Sequence, residues 1–312
     1  MEQSQTEVQE PTVNPSAVRD DAPTTVAASV RPVQPVAPQA CATCGTAPAA
    51  NGGTTPAPSY IYAIGNLEPR FPTLGCEKEY MQIVGRTPEA KGMTHHQVLA
   101  SIASKPENAY LLRQLCFVMK IRGLETYIVV PRNPGEHAML AESIRPNPSP
   151  TDLDVVIGIR GPIAPAPMCN GLMVPIVAFD QTYHFPREML LKAALPADKK
   201  TKESAAVAEE LFDRILQMTD NAGNTDHDRA LNYLAVRYQA IYTKTADYLA
   251  QDYALSAIDV RPSPLSGTRN VLDVIHSYTH RVHGVVEKWS VRVDVTEEFP
   301  FLVTPLSPYY DR

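Results

Sequence analysis

The stretch N-T-D-H-D-R-A-L-N-Y-L-A-V-R-Y-Q-A-I-Y-T-K-T-A-D-Y-L-A, Asn224 to Ala250, decides how this chain folds. Thr225 followed three residues later by Asp228 is a helix start: the hydroxyl accepts from a free backbone amide. Asp226 adds a second acid at the positive end of the helix dipole. Behind the cap, Leu231, Leu234, Ala235, Tyr238, Ile241, Tyr242 and Leu249 recur at helical spacing. They make one long apolar stripe and predict a central packing helix through the whole stretch.

Working outward, the C-terminal side alternates with period two and is rich in β-branched and aromatic residues. Ala254 to Val260, Asn270 to Thr279, Val285 to Val295 and Phe299 to Val303 read as successive strands of an antiparallel meander. On the N-terminal side, order begins near Ser59. Strands are expected over Tyr60 to Ile64, Leu124 to Pro131, Leu153 to Ile159 and Leu172 to Phe179, with Pro175 pointing to an edge or a bulge. Helices are expected from Cys76 to Val84, from the Thr94 cap to Ser104, and from Pro106 to Ile121, ended by Gly123. Others are Glu136 to Ile144, Pro186 to Ala194 and Ser204 to Met218. The fold class is therefore α+β, with mixed helices and strands and a C-terminal antiparallel β-meander. No clean domain break follows Ser59, with the charged A-D-K-K-T-K-E connection near Lys199 the one candidate separator of two lobes.

Composition narrows the function classes. The chain has 312 residues and a net charge of −6, with no basic stripe to neutralise phosphates, so a general nucleic-acid binder is excluded. No apolar run approaches the ~20 residues that span a bilayer. The N-terminus has neither the basic region nor the apolar core of a signal peptide, which makes a cytoplasmic protein the expectation. Nine of the 29 prolines precede Ser59. Residues 1–58 show no period and read as a disordered Pro/Ala-rich arm, with residues 59–312 as the folded domain.

Several residue groups are candidates for chemistry. Cys41 and Cys44 form C-x-x-C-G, half of a zinc site. It would need Cys76, Cys169 or a second copy of the chain across a dimer to reach four ligands. The alternative is two reduced cysteines on the arm. Asp226, Asp228 and Arg229 form an acid–base or anion-binding cluster, or else a cap with a structural ion pair. Asn232 and Tyr233 are polar groups on a core helix that either bind or satisfy buried backbone. His276, His280 and His283 are spaced for a metal on a helix, but their flanks alternate as strands. A strand–turn–strand with solvated histidines is the better account. Cys116 reads as a buried thiol on a helix face, Cys169 as exposed in a Pro-rich loop, and His95 and His96 as solvated beside the Thr94 cap. Serine-hydrolase elbows and phosphate loops do not occur.

Asp228 to Tyr233, D-R-A-L-N-Y, is also where the chain resembles a known family: the C-terminal domain of unknown function of cyanobactin (patellamide-type, PatA/PatG) maturation proteins. Other landmarks follow in the family's order. They are Tyr62 to Gly65 (Y-A-I-G), Thr126 to Pro131, Gly171 to Val177, and Val293 to Val295 with Phe299 to Leu306. A Cys-bearing stretch ahead of the domain is also similar. Asn66 to Arg70 and the histidine hairpin depart from the pattern. The resemblance implies a role in making a ribosomally synthesised, modified peptide, either as a binding or scaffolding accessory or as a peptide-modifying, zinc-containing enzyme. The implied partners are precursor peptide and modifying enzymes, with neither nucleic acid nor membrane, and a homodimer as a further option. Protease activity is not carried over, since no subtilisin-type Asp, His and Ser motifs are present.

Overall fold

Five alternating segments close on one another before the helices of the C-terminal half begin. The computed structural model describes residues 58–195 and 201–311. Strands β1 (Tyr60–Arg70), β2 (Cys116–Ile121), β3 (Leu124–Pro131), β4 (Asp152–Ile163) and β5 (Pro175–Pro186) form a closed barrel in the order β1-β2-β3-β5-β4. All neighbours are antiparallel except β3 and β5, which run parallel. The β2–β3 hairpin turns on Arg122 and Gly123, with φ values of 53° and 81°. Positive φ at both central residues gives the twist that antiparallel strands need.

Registered partners share a face, and this sorts the barrel's residues. Ile61, Ala63, Phe117, Val129, Val156, Val177 and Phe179 form one cluster drawn from all five strands, so this face is the interior. Helices α1 (Leu74–Arg86), α2 (His95–Ala103), α3 (Ala109–Gln114) and α4 (His137–Ala141) extend it through Tyr80, Leu99, Ile102, Leu111 and Leu140. On the outer face, Cys116, Val118 and Ile128 pack with Ala164 and Cys169 from the β4–β5 connection.

The rest of the outer face, Tyr62, Ile64, Val155 and Ile157, is apolar as well and needs its own cover. Helices α5 (Arg187–Ala194), α6 (Lys202–Gln217), α7 (Asp226–Arg237) and α8 (Ala240–Leu249) supply it. Beyond them lies an open antiparallel sheet, β6 (Tyr253–Pro262), β7 (Val271–His280), β8 (Val286–Asp294) and β9 (Phe301–Pro308), in sequential order. One continuous core runs from Tyr62 through Leu231, Leu234 and Tyr242 to Val274, Tyr278 and Val291. Each large side chain there contributes roughly 1.5–3 kcal/mol through burial.

The mixed class and the meander agree with the sequence reading, but three local expectations are corrected. The long helix over Asn224 to Ala250 is two helices. It breaks at Tyr238 (φ −118°, ψ 88°), and the Tyr242 hydroxyl donates to Ala235 O at 2.7 Å across the break. Both pieces keep their apolar sides on one core, so the stripe continues although the hydrogen-bond ladder does not. The helix expected from Pro106 to Ile121 ends at Gln114, and Cys116 to Ile121 is a strand. A six-residue apolar run carries no period that separates the two, and the hairpin with β3 decides. Pro175 sits at the first position of β5 opposite Ile163, where the β4–β5 register shifts between Arg160 and Ile163, so the bulge half of that expectation holds in a closed barrel without edges.

His276 is the third correction. It lies within β7 opposite Ile258 and Trp289 and is 1% exposed, with no partner on either ring nitrogen. Burial alone pulls its pKa down to about 4. The unfolded chain therefore binds a proton between pH 6.5 and 4 that the folded chain refuses. This contribution to stability is intact above pH 6.5 and is lost as pH falls through that window. Denaturant unfolding of wild type at pH 7.5 and pH 5 should show a loss on the order of 2 kcal/mol from this group. His276→Leu should remove that part of the loss, and an unchanged pH difference in the variant would contradict the assignment.

Candidate functional site

The start of α7 is where the chain's polar groups converge. Thr225 Oγ1 accepts from Asp228 N (3.1 Å), and the Asp228 carboxylate accepts from Thr225 N (3.4 Å), completing the capping box that the sequence predicts. Asp228 is buried, and burial raises its pKa against the lowering effect of these bonds. Arg229 is 3% exposed. Its Nη1 donates to Asp226 (3.0 Å) and to Val295 O (2.8 Å), and its Nη2 donates to Glu297 O and Glu298 O. The guanidinium also lies 5.1 Å from the centre of the Tyr60 ring, while Nε has no partner. Asn270 donates its side-chain amide to the other oxygen of Asp226.

Tyr60, Asp226, Arg229, Asn270 and Val295 line a cleft of about 490 Å³ with Ser59, Asn224, Thr225, Thr268 and Thr296. Of the predicted site residues, Asp226 and Arg229 face this cleft; Asp228, Asn232 and Tyr233 do not line it. Arg229 is spent mainly on backbone carbonyls of the β8–β9 connection, which it ties to the helix. The arrangement is an anchor with one polar cleft beside it.

Asn232 performs a second anchoring task one helical turn on. Fully buried, it donates to Tyr62 O at 2.7 Å in β1 and exchanges side-chain amide bonds with Asn221 at 2.7 and 3.0 Å. Tyr62 N in turn donates to Gly223 O at 2.9 Å. Gly223 has φ +73°, and a Cβ there would stand 2.2 Å from Tyr62 O, so only glycine permits the approach. Tyr233 packs edge-on against Tyr62, with ring centres 6.5 Å apart.

A second polar cluster went unread in the sequence. Asp154 points to the interior face of the barrel, fully buried. It accepts from Leu67 N (2.5 Å) and Arg145 Nη2 (2.8 Å), and it meets His184 Nδ1 at 2.8 Å. His184 Nε2 reaches Met139 O and Thr182 Oγ1, both at 3.2 Å. Arg145 also approaches Asp152 at 3.5 Å. Every charged group here is answered by another, which makes the cluster a latch between β1, β4, β5 and the segment after α4. The one sequence signal was an acid at an inward position of an otherwise apolar strand.

The remaining candidates are dispersed. Cys41 and Cys44 lie outside the described residues. Cys169 is fully buried rather than exposed, in the same cluster as Cys116, and burial raises both thiols. The expected helix face for Cys116 is replaced by strand β2, though its burial holds. His280 and His283 stack at the hairpin tip, 4.7 Å apart, while His276 sits in the core. His95 stands edge-on to Tyr80, 5.6 Å away, beside an intact Thr94–Gln97 capping box. Among the described residues, no group of three or more His, Cys, Asp or Glu is arranged to hold a metal.

A closed barrel, a helix layer and an open meander, joined through anchors on α7, define a mixed α+β domain. Residues 198–309 match the family model described as PatG C-terminal. The structure is similar to a solved one titled PatG Domain of Unknown Function, with a TM-score of 0.65 and 18% identity, over 80% of this chain and 98% of that chain. Such coverage exceeds the C-terminal half, so the likeness in fold takes in the barrel. No curated protein matches. The chain thus carries a PatG C-terminal-like domain, as the D-R-A-L-N-Y resemblance implied.

If α7 joins barrel and sheet as described, Asn232→Ala should destabilise the domain by roughly 2–4 kcal/mol, because Asn221 and Tyr62 O lose buried partners together. The substitution Lys78→Ala, at an exposed position of α1, is the comparison. Equal melting temperatures for the two variants would refute the joint.

Proposed function

We propose that the protein is a binding or scaffolding accessory in the maturation of a ribosomally made, modified peptide of the cyanobactin type, holding precursor peptide or the enzymes that modify it. The open C-terminal sheet is the observation that carries this reading. The barrel leaves no edge unpaired, whereas β6 and β9 each pair on one side only. Beside the β9 edge stand Phe299, Phe301 and Val303, 41%, 45% and 40% exposed. Pro305 and Pro308 remove N–H donors from the far half of β9, so the accepting stretch is Phe301 to Thr304. An extended peptide pairing there would gain main-chain bonds, with its apolar side chains against the phenylalanines. The polar clusters on α7 and at the barrel mouth support binding over turnover, since their charges are committed to internal partners. No helix among the described residues is long and apolar enough to cross a membrane.

A tagged pull-down from the native host, read by intact-peptide and proteomic mass spectrometry, tests the reading. Recovery of a short precursor or its modifying enzymes, with no change in peptide mass on incubation with the pure protein, is the expected result. Val303→Asp should reduce that recovery about tenfold, a cost of ~1.4 kcal/mol at the edge. A mass shift in the peptide would replace the accessory reading with an enzymatic one. The zinc reading of Cys41 and Cys44 is a separate proposal. Metal analysis of wild type against the double serine variant should show zinc in wild type alone, and equal zinc in both would sink it.

A further inference from the structure

The barrel end where β2 begins and β3 finishes opens into a cleft of about 430 Å³. Its floor and walls are apolar: Leu115, Phe117, Leu140 and Met168 all line it. Its polar side chains are Arg113, Gln114, Arg132 and His137, with no acid among the lining residues, in a chain whose net charge is −6. An acid-free cleft with two guanidinium groups calls for a negative ligand.

The three basic groups are not equivalent. Arg132 is already held, by Asp180 at 3.2 Å and Glu298 at 2.6 Å. Arg113 is exposed at the end of α3 and has no salt bridge or hydrogen bond among the described residues. His137 Nδ1 is buried without a partner. Burial, and next the charge of Arg113, lower the pKa of His137, so the neutral ring faces the cleft at pH 7. Glu136, its neighbour in sequence, is turned away into a capping box with Asn133. A buried ring nitrogen without a partner costs free energy that a ligand oxygen would recover.

Donor number then selects the anion. One free guanidinium and one imidazole N–H match the two oxygens of a carboxylate. A phosphate, with three oxygens and more charge, wants a nest of backbone amides, but Pro131 and Pro134 on this rim have none to give. The volume suits one apolar residue and the peptide unit before it.

We propose that this cleft captures the free C-terminal carboxylate of a peptide that ends in an apolar residue. Arg113 pairs with the carboxylate, His137 Nδ1–H donates to one of its oxygens, and the last side chain lies on Leu115, Phe117, Leu140 and Met168. The inference rests on the peptide-binding reading above and adds a second contact to it.

The test is fluorescence anisotropy on the full chain with an N-terminally labelled Ala-Ala-Ala-Leu, as the free acid and as the C-terminal amide. The acid should bind at least about tenfold more tightly than the amide. Arg113→Gln should lower the acid to the level of the amide and leave the amide unchanged, and His137→Phe should weaken the acid alone. Arg281→Gln, at the exposed hairpin, should change neither. Equal binding of acid and amide, insensitive to Arg113→Gln, overturns the carboxylate site but leaves the peptide-binding reading standing. Inorganic phosphate displacing the acid at lower concentration than acetate does would overturn the choice of anion. If neither peptide binds, the cleft inference fails; recovery of precursor in the pull-down then decides the wider reading separately.

Discussion

Two sheets of different kinds, one closed and one open, can share a core only if something fixes their distance and orientation. Asn232 and Arg229 do this from one helix. Asn232 reaches the carbonyl of Tyr62 on the barrel side, and Arg229 reaches the carbonyls of Val295, Glu297 and Glu298 on the sheet side. Both side chains are buried, where a carbonyl left without a donor is costly, so neither contact has a cheap substitute. The apolar stripe of α7 and α8 fills the space between. Direction comes from the polar contacts and most of the free energy from the apolar ones.

The same logic governs the barrel mouth. Asp154 would be intolerable alone on an inward face. With Leu67 N, Arg145 and His184 around it, the carboxylate instead pins three strands and the segment after α4. Groups that look catalytic in isolation are here consumed by the architecture. By contrast, β9 pairs on one side only, and Nδ1 of His137 has no hydrogen-bond partner among the described residues.

Most of the elements were legible because their periods are strong. The four C-terminal strands, the capped helix at Thr94 and the Thr225–Asp228 start all follow from alternation or cap chemistry. Cys116 to Ile121 was not, because a short buried run has no period of its own and takes its form from the hairpin it joins. The break at Tyr238 was hidden for the opposite reason: the apolar stripe runs straight through it. Of the candidate site, the capping box and the Asp226–Arg229 pair were readable locally. The partners of Arg229 lie 66 to 69 residues away, and that of Asn232 lies 170 residues away.

By itself, then, the sequence determined what local physics determines: the mixed class, the meander, the cap and the family signature in D-R-A-L-N-Y. Only the tertiary structure decided that β1 to β5 close into a barrel, that β3 and β5 run parallel, and that His276 is buried without a partner. It also decided that Arg113 and His137, 24 positions apart, open onto one acid-free cleft. Strand order and burial depend on contacts between segments far apart in the chain. Period and propensity describe one segment at a time, so they carry no record of which other segment it meets.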